Sequence, residues 1–148
     1  MASPSRIYRR IRRDEYPRYV VGQILLYLLV WWALHDPHQQ CATFTGASIA
    51  CDELAAARHF NSVVMPTMQS SHYSDVRRAM TRHGLSGKRW HVGHAVPDRS
   101  KQRAHEAEDF GHNLLAQAAV DNRRLGHRTI SCDEATFLGA THVPCAFE

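Results

Sequence analysis

Nowhere in the 148 residues is there a glycine-rich phosphate loop, a nucleophile elbow or a pair of carboxylates placed for acid–base work. P-loop nucleotide hydrolysis, serine-hydrolase chemistry and glycosidase chemistry therefore lack the residues they need. Cys-x-x-Cys pairs are missing too, which excludes a zinc ribbon or finger. There is no internal repeat and no low-complexity tract, and strand signals are close to absent, so the expected fold class is all-α. Charge is absent from Tyr19 to Leu34, and beyond Leu34 the next Arg or Lys is Arg58.

The uncharged run YVVGQILLYLLVWWAL is the dominant feature. A bilayer core takes roughly 20 mostly apolar residues as helix, and this run supplies about 16 with Tyr16, Pro17 and His35 at headgroup depth. Its valines, leucines and isoleucine contribute roughly −3 to −5 kcal/mol to insertion, which outweighs Gly22 and Gln23. Tyr16 and Tyr19 mark one edge and Trp31 and Trp32 the other, as an aromatic belt does. Membrane-span residues are thus Tyr19, Leu26, Leu29, Trp31, Trp32 and Leu34. A secretory signal peptide also begins basic and turns apolar, but here the preceding arm is long and no small-x-small site follows directly, so a retained span is expected.

Net charge is +4, and all of the excess lies in residues 1–18, where six arginines face only Asp14 and Glu15. Beyond residue 18, twelve basic and twelve acidic residues cancel. A neutral body lacks the electrostatic footprint of a phosphate-backbone binder, so no nucleic-acid partner is expected. The arm orients the span with its N-terminus in cytoplasm or mitochondrial matrix. Being Arg-rich, with two serines and no acid before Asp14, it suits mitochondrial import as an uncleaved signal. Three segments are expected: arm 1–18, transmembrane helix 19–36 and a helical tail 37–148.

Cys41, Cys51, Cys132 and Cys145 all fall beyond the span, on the oxidising side, and an even count there reads as two disulfides. Three pairings are possible. The local one, Cys41–Cys51 with Cys132–Cys145, is favoured because each pair brackets a Gly-containing turn.

Within the tail, 35–46 reads as a polar exit loop, with Pro37 ending the membrane helix. Ser48–Val64 reads as a helix with an Ile49, Ala56, Phe60, Val63 stripe, and Pro66 follows its stop. Ser70–His83 reads as a second helix, capped by Ser74 and stopped at Gly84. Residues 85–97 read as irregular. Asp98 is expected to cap a long helix over 99–125, with Ala104, Ala107, Phe110, Leu114, Ala118 and Leu125 on its apolar face, Gly111 as a break and Gly126 as its end. Ser131-x-x-Glu134 forms a capping box for a last helix through Leu138. Alanine-rich helices imply a small core that is completed against partner proteins.

WHVGHAVP followed by GHNLLAQAAVDNRRLGH resembles the HNH nuclease motif, in which a Gly-His near a turn precedes Asn-Leu and a second Asn nine residues on. The resemblance implies His94 as general base, Asn113 holding the loop geometry, and Asn122 or His127 completing a divalent-cation site. His91-x-x-His94 also offers two ligand-type side chains, and His105 and His112 lie two turns apart if that stretch is helical.

The arm, the WWALHDPH exit, the later GHAVPD and the helical tail resemble the small single-span accessory subunits of mitochondrial respiratory complexes, the NADH:ubiquinone oxidoreductase membrane arm among them. This resemblance implies a non-catalytic structural role on the inner membrane, with the tail in the intermembrane space. It implies other subunits and the bilayer as partners, and no cofactor or metal. No charge inside the span marks a proton path.

Overall fold

The computed structural model describes residues 16–35, 38–97 and 109–147. Most of the arginine arm, Pro37, the Asp98 cap, Ala104, Ala107 and His105 lie outside the described residues. The chain divides into two compact units, 1–37 and 38–148.

In the first unit, helix α1 spans Tyr16–Leu34. It begins three residues before the expected start because Pro17, with its fixed φ and missing N–H, fits the first turn of a helix. At 1.5 Å per residue its 19 residues reach about 28 Å, close to the thickness of a bilayer's hydrocarbon core. None of its residues is buried. At its end the His35 ring stacks on Trp31, with centroids 5.1 Å apart, and His35 donates to the Trp31 carbonyl from both its backbone N–H and Nδ1, each at 2.9 Å.

The second unit is mixed α and β, a correction to the all-α expectation. Strands β1 (Gln40–Ala42) and β2 (Ser48–Ala50) form a short antiparallel hairpin. Next come helix α2 (Cys51–His59), a π turn (Phe60–Val64), a 3-10 turn (Met65–Thr67) and helix α3 (Tyr73–Arg82). Strand β3 (Trp90–His94) pairs antiparallel with β4 (Leu114–Ala118), and helices α4 (Ala119–Leu125) and α5 (Cys132–Phe137) complete the unit. Disulfides Cys41–Cys51 and Cys132–Cys145 are the locally favoured pairs, each with Cα atoms 4.9 Å apart. The first ties β1 to the start of α2, and the second ties the start of α5 to the C-terminal segment.

The β3–β4 hairpin separates two apolar clusters. Trp90 and Val92, with Leu114, Ala116 and Ala118 opposite, face a core built from Leu54, Phe60, Met65, Val76, Met80 and Leu85. Leu115 and the neighbouring Ala95 face a second core with Ile130, Ala135, Leu138 and Val143. All five residues of β4 are buried. A strand covered on both faces shows no polar–apolar alternation, so LLAQA in an alanine-rich setting reads as helix although it is sheet.

Helix α2 starts at Cys51, after β2, and its apolar stripe shifts in the π turn. One extra residue per turn moves the inward face from Val63, which is 54% exposed, to Val64, which packs partly buried against the core, and Asn61 is fully buried beside Phe60. Asn61 Nδ2 donates to the Ala116 and Leu138 carbonyls at 2.9 and 3.0 Å, while its Oδ1 accepts from the Ala116 N–H at 2.7 Å. One side chain thereby serves the outer edge of β4. Helix α3 is capped by His72, whose Nδ1 accepts from the Ser74 N–H, and not by Ser74. Gly84 at φ 79° ends it, and the Leu85 N–H reaches back to the Met80 carbonyl. Ser131 caps α5 as expected, accepting from the Glu134 N–H at 3.1 Å.

Replacing Asn61 by Ala strands three buried backbone groups, each costing about 1–3 kcal/mol when unpaired. Asn61→Ala is expected to lower the melting temperature by roughly 10 °C or more, read by thermal denaturation. Val63→Ala should leave it nearly unchanged, since that side chain faces solvent.

Candidate catalytic site on the central hairpin

β3 delivers two histidines to the hairpin. Along a strand, side chains alternate faces, so His91 and His94, three residues apart, leave in opposite directions. His91 lies opposite Gln117, and His94 lies opposite Leu114.

His94 is about one-fifth exposed and bonds to Asp109, with Nε2 and Oδ1 2.9 Å apart. The Tyr73 ring of α3 stacks against it, with centroids 5.8 Å apart and planes 15° from parallel. Just past His94 the chain leaves β3, and there Asn113 takes both polar groups of Val96. Its Oδ1 accepts from the Val96 N–H and its Nδ2 donates to the Val96 carbonyl, each at 2.9 Å. Asn113 thereby ties down the chain just past His94. Asn113 closes a 3-10 turn (Gly111–Asn113) that opens β4. Gly111 is required there, because a Cβ would sit 1.8 Å from the Met68 carbonyl oxygen.

Asn122, on α4, does not meet His94. Its side chain lies 3.1 Å from His91 Nδ1, on the other face of the hairpin. His91 is held below the ordinary imidazole range, mainly by burial and then by the charges of Arg123 and Arg77. Its Nδ1 accepts from Asn122 Nδ2, which places the ring proton on Nε2. The structure thus brings together His94 with Asp109 and Tyr73, Asn113 with Val96, and Asn122 with His91. His127 lies exposed past Gly126, which ends α4 at φ 58°, and His112 is exposed.

Among the described residues no three His, Cys, Asp or Glu side chains gather as a metal site. His91 and Asn122 are hydrogen-bonded to each other and do not converge on an ion.

α4 is seated by its neighbour Asp121. This buried carboxylate accepts from Thr43 Oγ1 and the Phe44 N–H, both at 3.1 Å, and from Thr45 Oγ1. All three donors lie in the β1–β2 turn that the Cys41–Cys51 disulfide closes. Asp121 also lines a cavity of about 160 Å³ with Glu134, Arg124, Arg128 and Ser131. Glu134 accepts from Gln117 Nε2 at 2.7 Å. Asp109, Tyr73 and Asp121 escaped the sequence reading. Asp109 and Asp121 fell inside a supposed helix, and Tyr73 is distant from His94 in sequence.

Burial raises the Glu134 carboxyl above its ordinary value, with Asp121 adding to the shift and the Gln117 hydrogen bond and Arg128 opposing it. A raised folded-state value means that the stabilising contribution is full at low pH and is lost as pH rises through the Glu134 range. Glu134→Gln keeps an acceptor for Gln117 and removes the ionisation. Its melting temperature should exceed the wild type's at pH 8 and converge with it at pH 4, measured by thermal melts across that range.

Comparison with protein-family models, with curated proteins and with solved structures finds no match for the chain.

Proposed function

We propose that the chain is a membrane-tethered phosphodiester hydrolase of the HNH type, with His94 as the general base that activates water. The observation carrying this reading is the two-bond clamp of Asn113 on Val96, two residues past His94, within a strand–loop–strand–helix order that ends with Asn122 on α4. In the chemistry so read, His94 takes a proton from water, the resulting hydroxide attacks phosphorus, and the bond to the leaving sugar oxygen breaks. A divalent cation at the reacting phosphate would neutralise charge on its oxygens. Asn113 fixes the loop so that His94 keeps its aim.

α1 supplies the tether. Its large apolar side chains other than Val20 are exposed, with Tyr16 and Tyr19 at one end and Trp31 and Trp32 at the other. The basic arm then stays on the insertion side, and the domain beyond α1 works across the membrane, where its two disulfides persist.

A second reading keeps the anchor and drops the chemistry. In it the protein is a non-catalytic accessory subunit of a mitochondrial inner-membrane respiratory complex, its arm in the matrix and its folded unit in the intermembrane space. The uncovered apolar surface of α1 favours it, since neighbouring membrane helices would cover that surface as well as lipid does.

Plasmid DNA incubated with the purified chain and Mg²⁺ or Mn²⁺ should be nicked, with His94→Ala slowing cleavage about 10²–10⁴-fold. No cleavage with any of several divalent metals would retire the hydrolase reading. Alkaline carbonate should leave the protein in the membrane pellet under either reading, whereas comigration with a large complex on native gels is expected only of the accessory subunit. Release into the carbonate supernatant would remove the tether from both.

A further inference from the structure

We infer that Asp109 is a positioning residue for His94: it keeps the imidazole proton on Nε2 and leaves Nδ1 as the atom that takes the proton from water. This rests on the reading of His94 as a general base and extends it to a residue that the HNH resemblance does not supply.

An ionised carboxylate accepts hydrogen bonds and donates none. The 2.9 Å contact between Asp109 Oδ1 and His94 Nε2 therefore requires the proton of the neutral ring to sit on Nε2. The acceptor lone pair is then on Nδ1. A histidine with its proton on the wrong nitrogen is a poor base however well it is placed, which is why an orienting carboxylate matters to such pairs.

The position of Asp109 is built into the fold. The segment that follows it is docked onto the turn before α3. The Gly111 N–H donates to the Ser71 carbonyl and the His112 N–H to the Gln69 carbonyl, each at 2.9 Å. Phe110 forms a bridge with His72, and their rings meet edge to face at 5.8 Å. The missing side chain of Gly111 allows this approach, and Asn113 then anchors the same segment to Val96. Two residues past Ser71, α3 begins with Tyr73, whose ring lies against His94. One turn thus fixes both the plane of the imidazole, through Tyr73, and the carboxylate that sets its tautomer. In the step so arranged, a water O–H bond breaks and its proton goes to Nδ1. The new oxygen–phosphorus bond forms, the leaving sugar oxygen departs and takes a proton from solvent, and Asp109 stays ionised throughout.

The test uses the full chain in detergent micelles with ¹⁵N-labelled histidine, alongside plasmid-cleavage kinetics. Wild-type His94 should show the Nε2–H tautomer. In Asp109→Asn the amide N–H can donate to Nε2, so the proton should move to Nδ1, and kcat should fall about 10²–10⁴-fold with KM little changed. Asp109→Glu, which keeps a carboxylate, should retain Nε2–H and recover part of the rate. An unchanged tautomer in Asp109→Asn, or an unchanged kcat, overturns the role of Asp109 while leaving His94 as base intact. A tautomer shift in a chain that cleaves nothing supports the Asp109–His94 pairing and overturns the hydrolase reading. The tautomer is read without substrate, so the two failures are distinguishable.

Discussion

Burial of the β3–β4 hairpin on both faces is the constraint from which the folded unit follows. A two-stranded ribbon alone is marginal in water. Here one face takes Trp90 and Val92 into a core with Phe60, Met65 and Met80, and the other takes Leu115 into a core with Ile130 and Leu138. Such a hairpin cannot leave its backbone edges unpaired. Asn61 serves the β4 side through the Ala116 peptide, and Arg77 serves the β3 side by donating to the Trp90 carbonyl at 2.7 Å. Glu53 fastens the start of β3 from α2, pairing with Arg89 at 2.8 Å and accepting from Trp90 Nε1 at 3.2 Å.

The same arrangement determines what the site can do. Because β3 ends at His94 and the chain turns at once, Asn113 can reach across to Val96 and hold the turn. Because α4 follows β4 with no intervening loop, Asn122 arrives at the hairpin's other histidine, His91. Asp121, one residue earlier, is a buried carboxylate whose hydrogen-bond donors among the described residues lie in the β1–β2 turn. The Cys41–Cys51 bridge therefore bears on the placement of Asn122 although it lies far from it in sequence.

The sequence was most legible where the signal is local. The apolar run of α1, the Ser131 cap, the stops at Gly84 and Gly126 and the local disulfide pairs all depend on a few neighbouring residues and a known backbone preference. It misled where burial erased periodicity. Leu114 to Ala118 carries no alternation because both faces are covered, and its alanines extend a helical pattern from residues on either side. A π turn shifted the stripe of α2 by one residue, from Val63 to Val64. The HNH resemblance singles out His94, Asn113 and Asn122 from the sequence, whereas Asp109 and Tyr73 meet His94 only through tertiary contact, which short-range pattern does not encode.

Trp90–His94 and Leu114–Ala118 are paired strands, with His94 at the end of the first. Nuclear Overhauser contacts in the labelled chain test this most directly. The account predicts cross-strand contacts between Val92 and Ala116 and between Trp90 and Ala118, together with slow amide exchange at Ala116. Sequential helical contacts running unbroken through residues 109–125, with no cross-strand contact to Val92, would contradict it and would dissolve the site along with the hairpin.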